Sequence, residues 1–134
     1  MRLFYCGKDG GDESTVSGFW LAEFKSLFSI VLLRFNNGSR DAYHEHAFNS
    51  ISWVLKGSLL EYRRESQDHD TLYSHRAGLL PIMTRREHFH KVFSSGTTWV
   101  LSFRGPWSKT WREYHDGKYK TLTNGRVEVS GKDK

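Results

Sequence analysis

Short β-type segments separated by turn signals constrain the fold of this 134-residue chain more than any other feature. Each segment is rich in aromatic or β-branched residues, and turns such as Asn37-Gly38 and Ala77-Gly78 separate them. The predicted strands are 19–24, 27–35, 51–55, 58–63, 71–75, 79–83, 90–93 and 97–103. Their roughly ten-residue spacing, without a long helical period, predicts an all-β sandwich or small barrel with little helix.

The composition is that of one globular domain over residues 1–134, since 37% of the residues are hydrophobic. No apolar run reaches the about 18 residues that a membrane span needs. The single cysteine, Cys6, excludes a disulfide framework. A Gly-rich polar stretch at about 7–18 predicts a mobile loop or arm, and about 124–134 a flexible tail. We therefore expect a soluble, cytoplasmic protein without a membrane anchor.

The charge balance indicates a small anionic ligand only weakly. Twenty Lys and Arg against 15 Asp and Glu give a formal net charge of +5. The basic residues occur as pairs and singles among acidic residues, whereas nucleic-acid-binding proteins carry clustered basic surfaces. The sequence therefore argues against a nucleic-acid partner and favours a small-molecule ligand.

Four of the seven histidines form two alternating pairs, His44/His46 and His88/His90. Residues i and i+2 of a strand project from the same face, so each pair can direct two imidazoles to one point. Imidazole is the commonest metal ligand of proteins. Two such pairs in a β-rich chain predict a metal site with three or four nitrogen ligands, although a single pair would suit a half-exposed strand equally well.

The segment 44–61, HEHAFNSISWVLKGSLLE, resembles the first motif of the cupins, with Ser50 where that family has an acidic ligand. A looser resemblance to the second cupin motif falls on His90, with His88 as its competitor. Residues 40–115 also resemble a group of small uncharacterised bacterial and phage cupin-like proteins. That group has an acidic residue at the position where this chain has Asn49. The resemblance implies a double-stranded β-helix, or jelly-roll barrel, with a metal site at its mouth.

The resemblance implies His44, His46 and His90 as metal ligands, with His88 as an alternative and Asn49 as a further oxygen donor. This three-histidine pattern is similar to that of cysteine dioxygenase-like cupins, which hold Fe(II) with open positions for substrate and dioxygen. The implied cofactor is therefore a divalent metal, Fe(II) before Zn, Ni or Mn. The catalytic residues are not identified by the sequence.

Three functions are open at this point. The first is a mononuclear non-haem iron, dioxygenase-like enzyme that acts on a small, anionic molecule. The second is a non-catalytic binding module for a metabolite, nucleotide or protein partner, in which the barrel has lost its metal. The third is a metal-dependent isomerase or lyase. Cupins often pair through edge strands, so the resemblance also implies a homodimer.

Four further residues are candidates for substrate binding. The guanidinium group of arginine binds carboxylate or phosphate through two parallel hydrogen bonds. The candidates, which we expect at the rim of the barrel, are Arg104, Arg86, Arg34 and Trp99. We expect Glu45 to point away from the metal and Glu87 to orient an imidazole. The remaining histidines, His69, His75 and His115, are expected to face solvent.

Overall fold

The fold is all-β, as the sequence predicts. The computed structural model describes residues 2–9, 14–38, 45–66, 69–86, 88–115, 118–123 and 127–128. Twelve strands and no helix occur in these ranges: β1 (Arg2–Lys8), β2 (Val16–Phe24), β3 (Phe28–Phe35), β4 (Ser50–Lys56), β5 (Ser58–Ser66), β6 (His69–Arg76), β7 (Ile82–Thr84), β8 (Phe89–Ser94), β9 (Thr98–Arg104), β10 (Thr110–His115), β11 (Lys118–Thr123) and β12 (Val127–Glu128).

The strands form three antiparallel sheets. Sheet A has the order β1-β2-β3-β9-β4-β7, sheet B the order β6-β5-β8, and sheet C the order β10-β11-β12. Sheets A and B pack against each other through an apolar core in which Leu59 of sheet B meets Val31, Val54 and Val100 of sheet A. A smaller cluster joins residues 47–48 to Trp111 of sheet C. This arrangement is the jelly roll that the sequence predicts.

The inner face of sheet A changes from apolar to polar along its strands. Along β9, Thr98, Val100, Ser102 and Arg104 are buried, whereas the residues between them are more exposed. Cross-strand pairing places Ser29 and Ser50 on either side of Arg104. Because alternate residues of a strand share one face, these side chains form a polar row at one end of the inner face of sheet A.

The turn between β4 and β5 carries the chain from sheet A to sheet B. It is built on Gly57, whose φ of +91° lies in the left-handed region that favours glycine. Gly57 also approaches Thr97 and Thr98 so closely that a Cβ atom would lie 2.7 Å from Thr98 Oγ1. The glycine therefore permits both the backbone conformation and the close contact between sheets at this corner.

Seven of the eight predicted strands are confirmed as β2 to β6, β8 and β9, with differences of up to three residues at their ends. The predicted strand 79–83 is confirmed only in part, because β7 begins at Ile82 and ends at Thr84. Four other strands, β1 and β10 to β12, were not predicted. Strand β1 is mostly exposed along its length, and β10 and β11 carry several charged residues; neither pattern shows a clear apolar alternation. The strands β1 and β2 extend into the predicted arm at 7–18, and β12 lies within the predicted tail.

Among the described residues, no helix is long and apolar enough to cross a membrane.

Candidate metal centre

Two of the predicted ligands, His46 and His90, meet at one point. His90 lies on β8 and is 5% exposed, while His46 lies in the segment that leads into β4. Their Nε2 atoms are 2.9 Å apart, and their rings are nearly perpendicular, with an interplanar angle of 75°. The fold therefore brings together two imidazole nitrogens that are 44 residues apart in the sequence.

Glu61 fixes the orientation and the tautomer of the His90 ring. Its Oε2 atom is hydrogen bonded to Nδ1 of His90. An ionised carboxylate can only accept, so His90 donates its Nδ1–H and presents the lone pair of Nε2 toward His46. A carboxylate that holds a histidine in this way is the usual support behind a metal-bound imidazole.

Glu61 is itself held by a buried network. Its side chain is 2% exposed, and Oε1 accepts a 2.8 Å hydrogen bond from Nε2 of His75 and lies 3.1 Å from Nε of Arg63. Burial alone would raise the pKa of Glu61, but the hydrogen bonds from His75 and His90 and the charge of Arg63 hold it well below its usual range. Glu61 is therefore an anion at neutral pH.

The geometry of His46 and His90 fits a metal ion. In the structure the two Nε2 atoms are 2.9 Å apart, which is the distance of a hydrogen bond between the rings. Two nitrogen ligands that are each about 2.1 Å from one ion and meet it at the right angle of a six-coordinate site lie about 3 Å apart, so the same separation also suits two adjacent ligands. Within the described ranges, no group of three His, Cys, Asp or Glu side chains forms a complete ligand cluster. His44, the third predicted ligand, lies outside the residues that the structure describes.

His88 and Asn49, the alternative ligands, have contacts elsewhere. Nδ1 of His88 lies 3.2 Å from Nη1 of Arg63, so this nitrogen accepts from the guanidinium. Oδ1 of Asn49 accepts the backbone N–H of Arg86 at 2.9 Å. Of the second histidine pair, His90 is therefore the member that reaches His46 through its Nε2 atom.

A cavity of about 670 Å³ opens beside the two histidines. Its walls come from both large sheets and from the segment that carries His46, and an aromatic end adds Phe48, Trp107 and Trp111. Three buried carboxylates, Glu23, Glu61 and Glu113, also line it. The cavity is large enough for a small organic molecule and has both apolar and charged walls.

Arg104 is the predicted substrate-binding residue that lines this cavity. It is the last residue of β9, one residue beyond the predicted strand, and its side chain is 3% exposed rather than free at the rim. Its Nη1 and Nη2 donate to the two carboxylate oxygens of Asp9 at 3.2 and 2.7 Å. Its guanidinium carbon also lies 4.6 Å from the centre of the Phe48 ring.

The other three predicted substrate residues do not line the cavity. Arg34 and Trp99 are cross-strand partners on the outer face of sheet A, and the Arg34 guanidinium carbon lies 6.0 Å from the Trp99 ring centre. Arg86 is exposed beyond β7. The alternation of strand residues explains the positions of Arg34 and Trp99, because their neighbours Leu33 and Val100 face inward.

Sequence reasoning missed three participants in the site. His75 was expected to face solvent, and this is wrong: its side chain is 18% exposed and hydrogen bonds to Glu61. Glu61 was not considered, because only the pairing of β5 with β6 and β8 brings it next to His75 and His90. Asp9 was not considered, because only its ion pair with Arg104 of β9 brings it to the cavity. Alternation within β5, which places Glu61 on the same face as Leu59, was the available signal.

The acidic neighbours of the histidine pairs have different outcomes. The Oε1 atom of Glu45 accepts a 3.1 Å hydrogen bond from Nε of Arg112, and Glu45 lines the same cavity as His46 and His90. Its expected orientation away from the metal therefore stays a prediction. Glu87, the other expected orienting residue, lies outside the described residues. The orienting role found in the structure belongs to Glu61 instead.

Comparisons with known proteins agree with this fold. No protein-family model and no curated protein matches the sequence. Among solved structures, the chain is similar to a sugar phosphate isomerase of the cupin superfamily from Silicibacter pomeroyi, with a TM-score of 0.61 and 14% identity over 87% of this chain and 78% of that one. An RmlC-like cupin from Shewanella frigidimarina has a TM-score of 0.56 and 16% identity, over 74% and 81% of the two chains.

A structure of Fe(II) HppE is also similar, with a TM-score of 0.61 and 11% identity over 75% of this chain. This chain covers only 55% of the length of that protein. At such identities the likeness concerns the fold. The all-β sheets, their order and these neighbours together define a jelly-roll fold of the kind found in these cupin structures.

Proposed function

We propose that the protein is a metal-binding cupin in which His46 and His90, with His44 as the predicted third ligand, hold a divalent ion. The convergence of the two Nε2 atoms at 2.9 Å carries this proposal. It is supported by Glu61, which holds His90 in the tautomer that a ligand needs. The likeness of the fold to an Fe(II) protein and to a sugar phosphate isomerase is compatible with metal-dependent chemistry.

We further propose Fe(II) as the ion and a dioxygenase-like reaction on a small, anionic molecule. Neutral histidine ligands leave open coordination positions, and iron there would supply redox chemistry with dioxygen. The chain's own residues bind and enclose the substrate: Phe48, Trp107 and Trp111 form an apolar wall that excludes water, and Arg104 supplies a guanidinium. Glu61 keeps its negative charge next to His90 but is not itself a metal ligand.

Elemental analysis of protein purified without added metal tests this function. We expect about one equivalent of iron per chain, and loss of most of it in His46→Ala and in His90→Ala. His69→Ala is a matched control, because His69 is exposed on the edge strand β6. Folded wild-type protein that neither contains nor takes up a divalent metal would contradict the proposal.

A non-catalytic binding module is the second candidate, and the size of the cavity favours it. A space of about 670 Å³ with aromatic walls can hold a small ligand without any metal. The two candidates differ in one measurement. A binding module retains its ligand affinity when His46 and His90 are both replaced by alanine, whereas the metal-dependent enzyme loses iron and turnover together.

A further inference from the structure

Arg104 and Asp9 form a two-point ion pair inside the cavity. Nη1 donates to Oδ1 at 3.2 Å and Nη2 to Oδ2 at 2.7 Å. Two parallel N–H···O bonds are the geometry in which arginine recognises a carboxylate group. The chain therefore places its own carboxylate on the guanidinium that lines the candidate site.

The two partners are held very differently. Arg104 ends β9, which lies between β3 and β4 in the middle of sheet A, and its side chain is 3% exposed. Asp9 directly follows β1, the edge strand of that sheet, and its side chain is 25% exposed. Asp9 is therefore the more accessible partner, and a rotation of its side chain alone would release the guanidinium, which is fixed in the cavity wall.

Asp9 does not satisfy all the donors around Arg104. Within the part of the chain that the structure describes, Nε of Arg104 and Oγ of Ser29 are buried and have no hydrogen-bond partner. Ser29 is the cross-strand neighbour of Arg104 and is 1% exposed. Buried donors without acceptors are costly, so Asp9 leaves part of the hydrogen-bonding capacity around Arg104 unused.

A ligand on Arg104 would lie close to the candidate metal centre. The Phe48 ring contacts both Arg104 and His46. Its centre lies 4.6 Å from the Arg104 guanidinium carbon and 5.1 Å from the centre of the His46 ring. Arg104, His46 and His90 also line the same cavity. A small carboxylate held by Arg104 therefore occupies the space beside His46 and His90.

We propose that Asp9 fills, in the free protein, a binding site for the carboxylate group of a small ligand, and that the ligand binds by displacing it from Arg104. The exchange keeps the buried guanidinium paired at every stage, which avoids an unpaired charge in the protein interior. This proposal rests on the proposed function only in so far as the ligand enters the same cavity. It adds the chemical class of the ligand and a side chain that competes with it.

Acetate is the probe that tests the site, since it carries the carboxylate alone. The Arg104 Nε–H signal, assigned by its absence in Arg104→Lys, is followed by NMR in metal-free protein during titration with sodium acetate, with sodium chloride at equal ionic strength as reference. In Asp9→Ala we expect acetate to bind at least about tenfold more tightly than in the wild type, because an internal competitor is gone. Asp70→Ala is the control, since Asp70 pairs with Arg64 on the surface.

An Arg104 signal that responds equally in wild type and Asp9→Ala, or in neither, overturns the proposal. Asp9→Asn, which keeps the shape of the side chain, replaces Asp9→Ala if the alanine variant does not fold. Because the titration uses metal-free protein, its failure leaves the metal content of the wild type unaffected. Conversely, absence of iron with a positive titration would reject the metal centre and retain the carboxylate site.

Discussion

Among single residues, Glu61 connects the candidate metal centre to a buried polar network. It divides one carboxylate between two imidazoles, with Oε2 on His90 and Oε1 on His75, and Arg63 lies beside it. Because the pKa of Glu61 is low, its carboxylate keeps a negative charge next to His90 and His75. His46 and His90 were predictable from their alternating spacing, whereas Glu61 required the register of β5 against β8.

Glu61→Gln is expected to weaken metal binding about 10-fold to 100-fold, since loss of a carboxylate behind a histidine ligand has effects of this size. The amide keeps the volume but lacks the charge that holds His90. Titration with Fe(II) or Co(II) under anaerobic conditions measures the affinity. Glu23→Gln is the matched control, because Glu23 is buried in the same cavity and hydrogen bonds to Tyr5. Equal affinities of the two variants would remove Glu61 from the site.

Tyr5 provides a prediction about pH. Burial and the neighbouring Glu23 carboxylate raise the pKa of Tyr5 from its ordinary value of 10.0 to about 12. The unfolded chain therefore loses this proton first, so Tyr5 contributes stability below pH 10 that disappears as the pH rises toward 12. The free energy of unfolding of the wild type should fall relative to that of Tyr5→Phe over this interval. A constant difference between the two proteins from pH 9 to 12 would contradict the assignment.

Among the elements, the β4–β5 turn links the fold to the site. It moves the chain from sheet A to sheet B, and Glu61 follows Gly57 by four residues on β5. The corner is fixed by Thr98, whose Oγ1 donates to the carbonyl of Ser58 and accepts the backbone N–H of the same residue. A change in this turn therefore shifts the strand that carries Glu61.

Gly57→Ala should destabilise the protein by about 1–3 kcal/mol, because it forces a side chain into a left-handed conformation and a close contact. The added methyl group would lie 2.8 Å from the carbonyl oxygen of Thr97. Gly78→Ala is the control, since nothing lies within 4 Å of its Cβ position, and we expect a change within about 0.5 kcal/mol. Urea denaturation compares the two. Equal losses would show that the turn geometry does not require glycine.

The strands that sequence reasoning found and missed differ in burial. Strands β2, β3 and β9 alternate between buried and more exposed residues, and this pattern is visible in the sequence. Strand β1 is almost wholly exposed and owes its conformation to pairing with β2. Local sequence reports burial on one face, but it does not report pairing at an edge. For the same reason the contact of Asp9 with Arg104 was not predictable.

In the whole molecule, the candidate site exists only when the jelly roll closes. Sheet B supplies His90, Glu61 and His75, sheet A supplies Arg104, and His46 comes from the segment before β4. These groups are distant in the sequence and meet through long-range strand pairing. A metal that binds the folded chain but not the unfolded chain would therefore raise the free energy of unfolding.

The expected partners stay predictions. The net charge of +5 is dispersed along the sequence, and several arginines are engaged with acidic side chains of the chain itself, as in Arg104–Asp9 and Arg112–Glu45. The expectation that nucleic acid is not a partner stays a prediction. A homodimer remains an expectation from the cupin resemblance.

The central claim is that His46 and His90 share one metal ion, and anomalous diffraction tests it most directly. Crystals of the protein purified without added metal are measured on both sides of the iron absorption edge. We predict a single anomalous peak within bonding distance of Nε2 of both histidines. The contradicting result comes from protein that has been supplied with Fe(II). A map without a peak there, with the two rings hydrogen bonded only to each other, would contradict the account.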